Sequence, residues 1–219
     1  MVASVQSRVD DPHLIEKRRA QIVAAAIELF GRYGYHRTTI RDIASLADVS
    51  IGLIYQYVRD KEDVLLLALD EVLNGYLRAI PAALRNVEDP LLRFRAAATA
   101  YCRVVDQNID ATVLAYRETK ALRPEHRELI KGKELKTNDL IAACIRDCIT
   151  AGLFRSVNIE LFTYQIVMFA HAWALKRWRF ADLMSLEKYL DDGLDLLLDS
   201  VLTPRGRRRL QRQACAETP

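Results

Sequence analysis

Residues 38–61 read TTIRDIASLADVSIGLIYQYVRDK, and this stretch decides the fold. Its pattern predicts two short helices joined by a tight turn. Ile40, Ile43, Ala44 and Ala47 put small apolar side chains on one face of the first helix. Val49 plugs the turn beside Asp48, whose side chain can accept a local hydrogen bond. Ser50 is placed to cap the second helix by accepting from its free backbone N–H groups. In that helix Ile54 and Val58, four apart, face the core, which leaves Ile51, Tyr55 and Gln56 looking outward. The shape is a helix-turn-helix, which lets a helix lie in the major groove of DNA.

Working outward, VSIGLIYQYVRDKEDVL at 49–65 is similar to the TetR/AcrR signature, whose core runs V-S-x-G-x-hydrophobic-Y-x-Y. RRAQIVAAAIELFGRYGYHRTTIRDIASLADV at 18–49 resembles the first helix of that family and its Gly-Tyr turn. Together the matching stretches span about residues 16–67. Ile51 and Leu53 stand where members often carry a polar or charged residue and a threonine, so base preference is harder to infer. Val58 stands where phenylalanine is common.

Candidate DNA contacts follow from side-chain chemistry. The Gln56 amide can bond adenine N6 and N7, or can be a solvated surface group. Tyr55 and Tyr57 can donate hydroxyls to phosphates. The resemblance implies this role for Tyr55, whereas Tyr57 can instead pack between helices. Thr38 and Thr39 open the first motif helix, where hydroxyls and free N–H groups can hold a phosphate; Thr39 can equally be only a cap. Arg37 and Arg41 add charge. Ser50, Ile51, Gly52 and Leu53 complete the start of the reading helix. Lys61 resembles the family's phosphate-contacting lysine.

Net charge is only +3, and residues 1–60 carry eight Lys/Arg against seven Asp/Glu, so any DNA attraction is local rather than that of a basic coat. No run approaches the roughly 20 apolar residues of a membrane span. The start, MVASVQSRVDDPHL, lacks the apolar core of a signal peptide, so a cytoplasmic protein without membrane contact is expected. Cys102, Cys144, Cys148 and Cys215 show no C-x-x-C spacing and no accompanying histidine cluster. They read as small buried residues, and no metal or cofactor is expected.

Beyond the motif the periodicity stays helical. Helices are expected at about 13–33, ended by Gly34, then from Lys61 with Asp60 as cap, bent or ended by Pro81. More follow at about 91–108, 111–122, 125–151, 159–180 and 185–202. Residues 13–60 are expected to form the helix-turn-helix domain and 61–203 a ligand-binding and dimerisation domain, with 1–12 and 204–219 flexible. The basic tail, with Arg205, Arg207, Arg208, Arg209 and Arg212, reads as a solvated end. The fold class is all-α: a three-helix N-terminal helix-turn-helix domain joined to a larger C-terminal helical bundle.

Phe162, Ile166, Phe169 and Trp173 repeat at helical spacing in the first of the last two helices. Leu186, Leu190, Leu194, Leu197 and Val201 do so in the second. Such stripes are either intrachain core or half of an intermolecular four-helix bundle. The resemblance implies the latter, a homodimer, with Phe162, Leu190, Leu194, Leu197 and Val201 as its contacts. Tyr101, Tyr116, Arg117, Phe169, His171, Trp173 and Arg177 are aromatic or polar groups within apolar faces. They are candidate walls of a ligand cavity, or core residues.

The leading function is therefore a dimeric, ligand-responsive regulator, with repression of a near-palindromic operator and release by a small effector implied by the resemblance. TVLAYRETKALRPEHRELIKGKE at 112–134 and HAWALKRWRF at 171–180 are loosely similar to family members that respond to acyl-CoA thioesters. A hydrophobic or aromatic compound is the alternative effector. Two other classes compete: an all-helical enzyme, for which no P-loop, H-E-x-x-H or G-x-S-x-G is present, and a DNA-binding scaffold without a ligand.

Overall fold

A computed structural model describes residues 5–217, with side chains as far as Arg212. Among the described residues the chain is helical, with an isolated bridge between Phe154 and Leu202 and no longer strand pairing. It condenses into two compact units. One holds the chain up to Asn74 together with Asn108–Glu134, and the other holds Gly75–Gln107 with Leu135–Pro219. The expected cut at residue 60 is thus not where the contacts divide. Both the fourth helix and a later one continue from one unit into the other.

The first unit begins with α1, Pro12–Tyr33. Asp11 caps it by accepting from the N–H groups of His13 and Leu14, and Pro12 occupies the first turn, where a missing N–H is harmless. Ile22, Val23, Ala25, Ala26 and Phe30 bury one face. Gly34, at φ +84°, ends it in a conformation that a side chain would strain. In α2, Ile40–Leu46, Thr39 and Asp42 form a capping box. The turn passes through Asp48 at φ +52°, and the Val49 N–H bonds back to Ala44 O. Ser50 caps α3, Ile51–Tyr57, by accepting from the Leu53 N–H. Asp60 accepts from the Asp63 N–H at the start of α4, Lys61–Ala83.

After α5, Pro90–Gln107, come α6, Ile109–Glu118, a 3-10 turn at Thr119–Ala121, and α7, Pro124–Thr150. Within the first unit α6 packs on α1, and the start of α7 is tied to the start of α4. Arg123 reaches Glu62 at 2.8 Å and Asp60 at 2.5 Å, and buried His126 meets Glu62 at 2.9 Å. Burial opposes ionisation of Glu62 and Asp63, but hydrogen bonds outweigh it and hold both carboxyls below their usual values. Arg123 and His126 supply those bonds to Glu62, and Arg59 those to Asp63.

The second unit packs α5 against α8, Ile159–Leu175. Leu91, Phe94, Ala97, Ala98 and Val105 are wholly buried, and Phe94 meets Phe154 edge-on. Next come α9, Arg177–Leu183, and α10, Leu186–Asp199. Gly193 lets α10 approach α8: a Cβ there would lie 2.2 Å from the Phe169 ring. Cys102, Cys144 and Cys148 are free and buried, as expected, and burial pushes Cys102 and Cys148 up to about 12, so neither is a thiolate near neutral pH. Cys215 lies outside the described side chains.

Three expectations are corrected, while Pro81, expected to bend or end α4, stands inside that helix, which continues to Ala83. The helix expected at 159–180 breaks at Lys176, and the break lets Phe180 pack at 4.9 Å on Tyr189. The tail expected to be flexible forms α11, Pro204–Glu217, which the Thr203 hydroxyl caps by accepting from the Gly206 N–H. Arg209 pairs with Asp89 and Arg207 with Asp199, so part of the basic charge is neutralised within the chain. Finally, residues 5–9 are docked rather than loose: Val5 is buried and the Arg8 N–H donates to Gln56 O at 2.8 Å. Residues 1–4 and 218–219 lie outside the described residues.

Candidate nucleic-acid interface

Helix α3 divides cleanly. Ile54 and Tyr57 are buried, and Leu53 is half-buried. Ile51, Gly52, Tyr55 and Gln56 form a continuous exposed face at positions one, two, five and six of the helix. A Cβ added at Gly52 would meet little besides Ser50 Oγ at 4.0 Å, so packing within the chain does not require glycine there. Ser50 serves as the cap. Arg37 and Arg41 are exposed and take no ion pair among the described residues. These residues can meet phosphates and base edges.

Four expected contacts have other roles. Lys61 Nζ donates to the carbonyls of Tyr35 at 2.7 Å, Thr38 at 2.9 Å and His36 at 3.3 Å, and sits 4.4 Å from the Tyr35 ring centre. An ammonium has three donors, and all three are used inside the chain. Partial burial lowers its pKa from the usual lysine value. Lys61 is a pin under the loop before α2, not a free phosphate contact. Thr38 is buried, and its hydroxyl donates to Gly34 O at 2.9 Å. Thr39 donates its hydroxyl to Asp42 at 2.7 Å and is occupied as a cap. Tyr57 is only 2% exposed and belongs to the core.

In the second unit, most candidates for cavity walls are packing groups. Trp173 is 1% exposed, donates its indole N–H to Asp106 at 2.7 Å, and lies against Tyr189 and Phe180. Phe169 stacks on Tyr189 at 4.6 Å, and Arg177 covers the Trp173 ring at 4.6 Å. Tyr101 stacks on Tyr76 at 4.0 Å, and both hydroxyls approach His171 Nε2, at 3.3 and 3.5 Å. Burial lowers the His171 pKa to about 4, so the ring is neutral near pH 7. Tyr116 and Arg117 belong to the other unit, exposed on α6. Within the second unit, Tyr101, Phe169, His171, Trp173 and Arg177 make ring or hydrogen-bond contacts with their neighbours.

The expected dimer contacts are also largely intrachain core. Phe162, Leu190, Leu194 and Val201 are buried, and Leu197 is half-buried. The exposed apolar residues on the same helices are Leu161 at 60% and Met168 at 46% on α8, and Leu196 at 75% on α10. No helix among the described residues is long and apolar enough to cross a membrane, and no group of three or more metal-ligating side chains occurs among them.

Residues 22–68 match the family model described as bacterial regulatory proteins, tetR family, and residues 87–178 match that of the tetracyclin repressor-like C-terminal domain. The HTH-type transcriptional regulator HbdR of Aromatoleum sp. (strain CIB) is 52% identical over 204 residues, which cover 93% of this chain and 89% of that protein. The chain belongs to the tetR family. The HTH-type transcriptional repressor KstR2 of Rhodococcus jostii is 26% identical, over 89% of this chain and 96% of its own. A tetR-family crystal structure from Rhodococcus RHA1 superposes with a TM-score of 0.74 at 29% identity, covering 84% of this chain and 97% of that one. The protein is a DNA-binding transcriptional regulator and not an enzyme.

In this tetR-family chain several residues that sequence reasoning passed over hold α3 in place. Arg19 donates to Tyr57 O, at 3.0 and 3.2 Å, and to Val5 O at 2.7 Å. It thereby satisfies a carbonyl at the end of α3 that no helical turn serves. Gln21 donates to Ala47 O at 2.6 Å, at the end of α2. Arg8, exposed beside the backbone of Gln56, adds a cation next to the reading face. No periodic pattern marks such residues, because each works through one long side chain reaching a distant carbonyl.

Proposed function

We propose that this regulator acts as a homodimeric repressor that reads the two halves of a near-palindromic operator with α3 and releases it on binding a small effector. The observation that carries the reading is the exposed face Ile51–Gly52–Tyr55–Gln56, where a glycine persists in a helix although the chain itself leaves room for a side chain. Glycine in a helix costs about 1 kcal/mol relative to alanine. Close approach of DNA to the α3 backbone gives that cost a purpose. Gln56 is placed for a base edge and Tyr55 for a phosphate, with Arg37, Arg41 and Arg8 adding charge.

Leu161 and Met168 on α8, with Leu196 and the half-buried Leu197 on α10, form the apolar surface that a second copy covers. That surface replaces the buried Leu190, Leu194 and Val201 as the proposed dimer contact. Half-site spacing is then set by the dimer, as an operator of two-fold symmetry demands. An acyl-CoA thioester is the first effector to try. One relative, from Bacillus subtilis, is described as a fatty acid metabolism regulator protein, at 27% identity over 51% of this chain. Trp173, expected to wall its cavity, lies against Tyr189 and Phe180.

The test is a gel shift with genomic fragments upstream of the gene and its neighbours, alongside sedimentation. Wild type should bind one fragment as a dimer and release it to a metabolite. Gln56→Ala should weaken binding by about 1–3 kcal/mol and relax base preference at one position in each half-site. Met168→Glu with Leu196→Glu should give folded monomers that no longer hold the full operator. Dimers that persist in this double variant would place the interface elsewhere.

A further inference from the structure

Helix α11 is seated on the second unit rather than trailing from it. The Thr203 N–H donates to Leu153 O at 2.9 Å, and the Thr203 hydroxyl donates to Gly152 O at 2.8 Å. The Arg155 N–H donates in turn to Val201 O at 2.9 Å. A Cβ at Gly206 would collide with Leu153 O, so glycine is what lets the first turn of α11 close on this segment. The seat fixes Arg205, Arg208, Arg209 and Arg212 along one face of the helix, at spacings of three, one and three residues. These four arginines line a cleft of about 410 Å³, within the size range of small-molecule sites. Asp89 and Pro90, at the start of α5, and the chain just beyond α7 complete it.

Four cations here share one carboxylate. Arg209 is held by Asp89, through Nη2 at 2.6 Å and Nε at 2.7 Å. Arg205, Arg208 and Arg212 make no ion pair or hydrogen bond among the described side chains. Like charges three and four residues apart on a helix repel, and a solvated tail needs neither a seat nor this crowding. The acidic groups nearby, Glu88 and Asp147, line the adjoining hollow with Arg93 instead. We propose that the cleft beside α11 binds a small molecule carrying two or more phosphoryl groups, with Arg205, Arg208 and Arg212 donating to its oxygens. Guanidinium forks match phosphoryl oxygens bidentately, and a concave wall strengthens the field of clustered charges. The four arginines span about 10 Å of helix, which suits linked phosphoryl groups better than the continuous phosphate rows of a duplex. The site is independent of the effector reading above and stands without it.

The test uses the full-length protein with inorganic pyrophosphate as probe. Pyrophosphate at millimolar concentration should raise the Tm of the wild type, and sodium chloride at matched ionic strength should not. In calorimetry, inorganic phosphate should bind at least tenfold more weakly than pyrophosphate. The combined variant Arg205→Gln, Arg208→Gln and Arg212→Gln should lose the pyrophosphate response. It should still fold, because all three side chains are exposed, and should melt at or above wild type without the anion, because like charges have been removed. Arg37→Gln with Arg41→Gln should keep the full response, which separates this cleft from the helix-turn-helix. A response that survives in the triple variant, or one that sodium chloride reproduces, would overturn the proposal. Loss of affinity for a random DNA duplex in the triple variant, with no pyrophosphate binding by wild type, would assign these arginines to nucleic acid and overturn it as well.

Discussion

Lys61 and Asn138 are polar side chains placed among apolar neighbours, one in each unit, and their surroundings treat them in opposite ways. Lys61 has three donors and three carbonyls to receive them. Asn138 has donors and an acceptor with no partner in the chain. The contrast extends around each residue. In the first unit, Arg19, Gln21, Arg123 and His126 each bridge distant segments, and the carboxylates beside them are held in their charged form. A region built this way keeps one shape and presents a fixed face, which suits reading a rigid duplex. A region that leaves an amide and a hydroxyl unsatisfied is less stable than its composition permits.

The largest effect should come from the two tyrosines of α3, which differ in burial although only one residue, Gln56, separates them. Tyr57→Ala removes a core ring and should cost about 3–5 kcal/mol in denaturant unfolding. Tyr55→Ala, on the exposed face, should leave stability within about 0.5 kcal/mol and weaken operator binding. Equal stability losses would break the division of α3 into a buried and a reading face.

A second effect belongs to pH. His171 titrates at about 4 when folded and near 6.5 when unfolded, because burial disfavours the charged ring. The unfolded chain therefore binds more protons between those values. Stability is fully present above about pH 6.5 and falls as pH drops toward 4, by up to about 3 kcal/mol. An NMR titration of the His171 ring should show no protonation at pH 6. In the first unit, by contrast, the depressed carboxyls Glu62 and Asp63 contribute stability above about pH 4 that is lost only in stronger acid.

Next in size is Lys61→Met, which strands three carbonyls and should cost about 2 kcal/mol. Operator binding should be lost through loosening of the loop before α2, while the salt dependence of whatever binding survives keeps its slope. A lowered slope with unchanged stability would return Lys61 to the role of phosphate contact. The smallest effect is expected for Arg8→Ala. It should leave stability unchanged and reduce operator affinity a few-fold, less so as salt rises.

The helix-turn-helix was legible because its determinants are local. Caps at Thr39 and Ser50, the apolar spacing of Ile43, Ala44 and Ile54, and the turn at Asp48 all act within a few residues of one another. The stripes in α8 and α10 were legible only in part. Periodicity locates apolar side chains, but it does not say whether Leu194 or Leu196 faces the chain's own core; the structure buries the first and exposes the second. The tail misled for a related reason. Composition marks Arg207 and Arg209 as solvated charges, while their partners Asp199 and Asp89 lie 8 and 120 residues away. Lys61 misled in another way, since a lysine at that position looks the same in sequence whether its ammonium meets phosphates or carbonyls.

The most direct test of DNA reading by α3 is a single variant, Gly52→Leu, measured for both folding and operator binding. The chain has open space at this position, and leucine favours a helix more than glycine does. The predicted result is a Tm equal to or slightly above that of wild type, with operator affinity reduced at least tenfold. Unchanged operator affinity in a fully folded Gly52→Leu protein would contradict the assignment of this face to DNA.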